Sequence, residues 1–143
     1  MKYLTIVLMI HLVVIQNVSA NDCLPYEPAK QRLRGTLERH VSVLSPVSSD
    51  RTAMTRYQTY WVLRLDESQC MRGRGEDENR PYGDVRTVQL HLALSQYERI
   101  KKLEGRSVWV RGALWQAHSQ YHYTEILMSV DRLGLIHRIA QAR

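Results

Sequence analysis

The densest group of chemistry-bearing side chains in the sequence is Ala117-His118-Ser119-Gln120-Tyr121-His122-Tyr123-Thr124-Glu125. His118 and His122, with Glu125 close by, offer imidazole and carboxylate donors of the kind that hold zinc or another borderline metal. The pattern is not that of a zinc protease, which places both histidines on a helix with a Glu directly after the first. The other chemistry open to the segment is recognition. Tyr121, Tyr123 and Thr124 add flat rings and hydroxyls, and a loop bearing them binds by stacking and hydrogen bonding. Metal binding through His118, His122 and Glu125 is the weaker alternative, and a purely structural hairpin loop is the plainest one.

No coherent catalytic set accompanies this loop, so no catalytic residue is assigned and no cofactor is implied. The acids Glu76, Asp77 and Glu78 cluster in a stretch from Met71 to Gly83 that is rich in glycine and charge and has no face to bury. Gly73 and Gly75 lack the following Lys and helix of a phosphate-binding loop. A second candidate group is aromatic and basic. Arg32, Arg34, Trp109, Arg111 and Trp115 fall at outward positions of two predicted strands, and Trp109, Arg111 and Trp115 join the loop in the candidate ligand set. The alternative for Trp109 and Trp115 is packing beneath a short helix or the C-terminal tail.

These residues need strands to position them, and the sequence alternates accordingly. Leu33, Leu37 and Val41 alternate with polar residues around a break at Gly35; Tyr57 to Leu65 is rich in β-branched and aromatic residues; Val88, Leu90, Leu92 and Leu94 share a face opposite Val85, Thr87, Gln89 and His91. Val108, Val110, Gly112 and Leu114 then alternate with Trp109, Arg111, Ala113 and Trp115, and Ile126, Met128 and Val130 face one way within Thr124 to Asp131. Between the third and fourth strands, Ser95-Gln96-Tyr97-Glu98 reads as a capping box opening a helix of two to three turns, with Gly105 as its left-handed stop. Five strands with one helix between the third and fourth predict a mainly β fold, an OB-like five-stranded barrel. An SH3-like barrel or an unclosed sheet is the alternative. OB-type barrels bind ligands on the face of strands two and three and on neighbouring loops, which nominates Tyr60, Arg64, Gln89 and His91.

Composition bounds the setting. A chain of 143 residues suits one domain rather than a multidomain enzyme, and 20 Lys+Arg against 14 Asp+Glu make it basic, with a formal charge of +6. Lys2, an apolar run from Tyr3 to Ile15, and Val18-Ser19-Ala20 have the form of a signal peptide cleaved after Ala20. The run is too short to span a bilayer, so no membrane span is expected after cleavage. The expected domain covers 21–133, with a C-terminal tail of 134–143 that the pattern does not place. In the oxidising space beyond the membrane, periplasmic or secreted, Cys23 and Cys70 are expected to pair. That compartment argues against nucleic acid as a partner and favours a glycan, a peptide or a protein of the envelope. A binding module of that kind is the leading expectation; a metal-binding protein and a periplasmic inhibitor or immunity protein are the alternatives.

The stretches Cys23-Leu24-Pro25-Tyr26-Glu27-Pro28, Tyr60-Trp61-Val62-Leu63 leading to Cys70, Gly105 through Gly112, and Ala117-His118 to Thr124 resemble a family of uncharacterised exported bacterial proteins, domain of unknown function 4431. The resemblance runs from about Cys23 to about Leu133. It implies an exported single domain with paired cysteines and brings no established activity. Members tend to carry a denser loop, Ala-His-Thr-Gly-His-His-His-Thr, where this chain has Tyr121 and Tyr123. The departure removes two possible metal ligands while His118, His122 and Thr124 keep the pattern.

Overall fold

A computed structural model describes residues 23–44, 56–72, 82–119 and 121–137. The expected signal peptide, the connection containing Pro46 and Asp50, the acids Glu76 to Glu78 and the end of the tail lie outside the described residues. The elements are β1 (Leu24–Pro25), β2 (Lys30–Leu44), β3 (Arg56–Arg72), β4 (Tyr82–His91), a turn of 3-10 helix (Leu94–Gln96), α1 (Tyr97–Lys101), β5 (Ser107–Gln116) and β6 (Ile126–Leu135). Each long strand overlaps one of the predicted alternating runs. β2 and β3 extend beyond those runs at both ends. β4 ends earlier than expected, and β6 starts at Ile126 rather than Thr124 and continues past the expected domain boundary to Leu135.

Pairing closes these strands on themselves. β2 pairs with β3 and β5, β5 with β6, β6 with β4 in parallel, and β4 with β3, which makes a ring of five strands in the OB-like order. β2 serves two neighbours: Lys30 to Thr36 pairs with β5, and Gly35 to Leu44 pairs with β3. Gly35 is the crossover residue, in register with both Leu65 and Val108. A Cβ there would run into the Arg64 carbonyl, so a glycine is what lets the strands approach this closely. The break expected at Gly35 is therefore a corner within one continuous strand.

The inward row of each strand fills the ring. Leu37, Leu63, Val88, Val108, Val110, Leu114, Ile126 and Met128 are fully buried in a single cluster, and each contributes roughly 1.5–3 kcal/mol. Ile100 and Leu103 join that cluster from the helical segment. Two expectations about this region change. The capping pair is Ala93 and Gln96, not Ser95 and Glu98: the Ala93 N–H donates to the Gln96 Oε1 at 2.8 Å and the Gln96 N–H returns to the Ala93 carbonyl at 2.9 Å. Glu98 instead accepts from Lys101 at 2.6 Å. The chain leaves β4 three residues sooner than the alternation implies, so the turn starts earlier and Leu94 is 90% exposed rather than part of the inward row. Val85, expected on the outer side, joins the core because the register of β4 against β3 shifts between Arg64 and Gln69. Gly105 takes φ 72° as expected, but its N–H donates to Leu37 of β2 at 2.8 Å.

Cys23 and Cys70 form a disulfide across a sequence separation of 47. It ties the entry segment to the end of β3, alongside the parallel pairing of Leu24 and Pro25 with Met71 and Arg72. A loop of that length corresponds to about 4 kcal/mol in the loop-entropy model. No helix among the described residues is long and apolar enough to cross a membrane.

Candidate functional site

The β5–β6 loop is organised before any ligand is considered. Its neck closes where the Ala117 N–H donates to the Glu125 carbonyl at 2.9 Å. Its tip turns where the His122 N–H donates to the Ser119 carbonyl at 3.1 Å. The His122 ring completes the turn: its Nδ1 accepts from the backbone N–H groups of His118 at 3.0 Å and Ser119 at 3.2 Å. An imidazole nitrogen that accepts two N–H groups carries no proton, which fixes His122 as the neutral Nε2–H tautomer. Burial, then the neighbouring His118 and His91, hold its pKa below the ordinary value.

The loop lies against the outer side of the ring, and Gln89 fastens it there. Gln89 is the single buried polar side chain among the described residues. Its Oε1 accepts from the Tyr123 N–H at 2.7 Å, its Nε2 donates to the Tyr121 carbonyl at 3.5 Å, and its own N–H donates to Thr124 Oγ1 at 3.0 Å. The Thr124 hydroxyl then donates to the Ile126 carbonyl at 2.6 Å. Val62 and Leu127 are in register with Gln89 on the outer side, and both are buried although they stand outside the interior cluster. The loop thus gives the ring a second, small apolar layer.

Two aromatic groups flank this layer. On one side Tyr123 stacks on Tyr60 at 4.1 Å between centroids, Tyr60 stacks on His40 at 5.5 Å, and the Tyr123 hydroxyl donates to Gln58 at 3.2 Å. On the other, Trp115 sits among three imidazoles, with centroids 5.0 Å from His122, 5.3 Å from His118 and 6.3 Å from His91. The Trp115 indole N–H donates to Ser129 at 3.0 Å. The structure therefore gathers His118, His122, Tyr121, Tyr123, Thr124 and Trp115 with the strand residues Tyr60, Gln89 and His91. Trp115 belongs to the loop cluster rather than lying beneath the helix or tail.

Other expected residues stand apart. Arg64 faces Glu38, which also meets His40 at 3.2 Å; the Arg64 hydrogen bond outweighs partial burial and lowers the Glu38 pKa. Trp109 and Arg111 are on the outer side of the same strand as Trp115, but Trp109 is six residues away, roughly 20 Å along an extended chain. Trp109 lies over Gly134 of β6 and beneath the Arg32 guanidinium, 4.4 Å from its centroid. His40 and Gln58 escaped the sequence reading because only the β2–β3 register, which sets His40 opposite Tyr60, brings them in. Alternation could have marked them as outward residues, without saying which neighbours they meet.

For a metal, the geometry is poorly arranged. Glu125 is exposed, and among the described residues no three His, Cys, Asp or Glu side chains gather as a ligand set. His118 Nδ1 lies 3.3 Å from the Gln116 carbonyl, an orientation that leaves Nε2 as the ring's acceptor. His122 could present Nε2 to a metal only by protonating the Nδ1 that the backbone uses.

No curated protein matches the sequence. Residues 87–133 match the family described as Domain of unknown function (DUF4431), a stretch that carries Gln89, α1, β5, the entire loop and most of β6 but neither the cysteines nor the entry motif. Over that stretch the chain is similar to DUF4431.

Proposed function

We propose that this protein is an exported, non-catalytic binding module that recognises a glycan through the surface built by its β5–β6 loop. One observation carries the reading: Tyr123 stacks on Tyr60 while Gln89 holds the loop backbone to β4, so flat rings and hydrogen-bonding groups are fixed together before a ligand arrives. Sugar rings offer apolar faces and a rim of hydroxyls, and a rigid aromatic surface edged by imidazole and hydroxyl groups complements both. Fixing the groups beforehand reduces the ordering cost of binding. The place is also the one OB-type rings use, strands two and three with the loop between strands four and five, an analogy of fold. Export is supported by the form of residues 1–20 and by the disulfide.

The test is a glycan array probed with the purified chain and with Tyr60→Ala and His118→Ala variants. Retention by defined glycans, reduced at least tenfold in both variants, or about 1.4 kcal/mol, is the expected result. Equal retention of parent and variants would remove the site assignment.

A protein partner is the second reading, and it rests on a different place. Val41 is 58%, Val43 56% and Tyr57 70% exposed where β2 and β3 run on together as a two-stranded ribbon. That apolar strip suits an inhibitor or immunity role. An array that retains nothing, with one envelope protein bound stoichiometrically and released by Val43→Lys, would favour this reading.

A further inference from the structure

Away from the loop, the ring carries three arginines in one row. Arg32 of β2 is in register with Arg111 of β5, and Arg111 is in register with Arg132 of β6. Antiparallel partners share a face and stand about 4.5–5.5 Å apart between Cα atoms, so three guanidinium stems rise side by side across three adjacent strands. All three side chains are exposed on the outer side, since the flanking Leu33, Val110 and Leu133 occupy the core. The next row is Arg34, Trp109 and Gly134, likewise in register. Trp109 lies over Gly134, and the Arg32 guanidinium sits over its ring, which holds that cation in place.

Like charges directly opposite one another destabilise a sheet, and none of Arg32, Arg34, Arg111 and Arg132 has an ion-pair partner among the described residues. The nearby carboxylates do not cancel the row. Asp131 is taken by Lys30 at 3.0 Å. Asp66 and Glu67 line a cleft of about 400 Å³ together with Arg32 and Arg34, but form no ion pair with either. They bound the positive strip at its β3 margin and leave the run from β2 to β6 open.

We infer that this row is a second binding surface, and that its ligand is an acidic polysaccharide lying across β2, β5 and β6. A linear polyanion presents charges repeatedly along its length, which is what a row of cations at strand spacing matches. Trp109 beside the row contributes by seating the Arg32 guanidinium over its ring. A lipid surface fits less well, because the large exposed apolar residues Val41, Val43, Tyr57, Leu94, Tyr97 and Tyr121 all lie outside these two rows. The inference stands independently of the loop, whose residues it does not use.

The test measures binding of the full chain to heparin oligosaccharides, with dextran as the neutral control and phosphatidylglycerol vesicles as the lipid control. Binding is followed as sodium chloride is raised. The R32Q/R111Q/R132Q variant is compared with R86Q/R99Q/R106Q, which removes the same charge elsewhere. The expected result is heparin binding that the first variant weakens at least tenfold, with a shallower salt dependence because fewer cations neutralise the ligand. The second variant stays within about twofold of the parent. Without ligand at low salt, the first variant also melts above the parent, because the like-charge row is relieved. Equal loss in both variants would reduce the binding to diffuse net charge and overturn the inference. So would binding to vesicles but not to heparin, or binding to neither.

Discussion

Gln89 and His122 do the local work at the site, and both do it by satisfying backbone groups. Gln89 replaces water as the partner of Tyr123 N–H in a place that is 9% exposed. A buried donor left without its acceptor costs about 1–3 kcal/mol, so this side chain adds substantially to the contacts that set the loop's position. His122 acts only while neutral, because its Nδ1 must accept two N–H groups. The groups facing it are His118 from the loop, His91 from β4 and the uncharged Trp115 from β5; burial first, then the two histidines, disfavour its cationic form. The sign follows. As pH falls below the ordinary histidine value of 6.5, the unfolded chain takes up a proton before the folded one does. Stability present above that pH is therefore lost progressively below it, until the lowered native value is passed. An NMR titration should show the His122 imidazole inflecting below 6.5 with concurrent movement of the His118 and Ser119 amides. An inflection at or above 6.5, or amides that stay still, would rule out the turn described for His122.

Among the elements, β2 is the one on which the ring depends, since it pairs with β5 through its first half and with β3 through its second. Gly35 stands at the change of partner. Gly35→Ala drives a Cβ into the Arg64 carbonyl, and overpacking of this sort costs roughly 1–3 kcal/mol or more when backbone must move. Gly83→Ala meets nothing within 4 Å and serves as the comparison. Urea denaturation should show a lowered midpoint for the first and a change within about 0.5 kcal/mol for the second. Equal midpoints would mean that the corner is not at Gly35. The strands themselves were legible because a half-buried strand must alternate, as Leu37, Val110 and Met128 show by pointing inward where alternation puts them. Where the chain leaves β4 was not legible. Ser95 and Glu98 satisfy the capping pattern as well as any pair, but tertiary pairing ends β4 at His91, and Gln96 then lies within reach of Ala93. The shift of Val85 into the core has the same origin, a register change that no local pattern reveals.

For the whole molecule, closure of the ring turns separate sequence patterns into surfaces. The loop from His118 to Glu125 was visible as a cluster of functional side chains, yet its contact with Tyr60 depends on residues that lie far apart in sequence and meet only through β4 and β3. The same closure separates Trp109 and Arg111 from Trp115 and places them in a row with Arg32 and Arg132. The disulfide secures the entry segment against β3, and the ring presents two outward surfaces, one aromatic and imidazole-rich and one cationic. The loop surface is the central claim, and it is tested most directly by hydrogen exchange of the full chain with and without the glycan the array retains. Added protection concentrated in 117–125 and around Tyr60, with α1 unchanged, is the predicted result. Protection confined elsewhere, with the exchange of 117–125 unaltered, would contradict it.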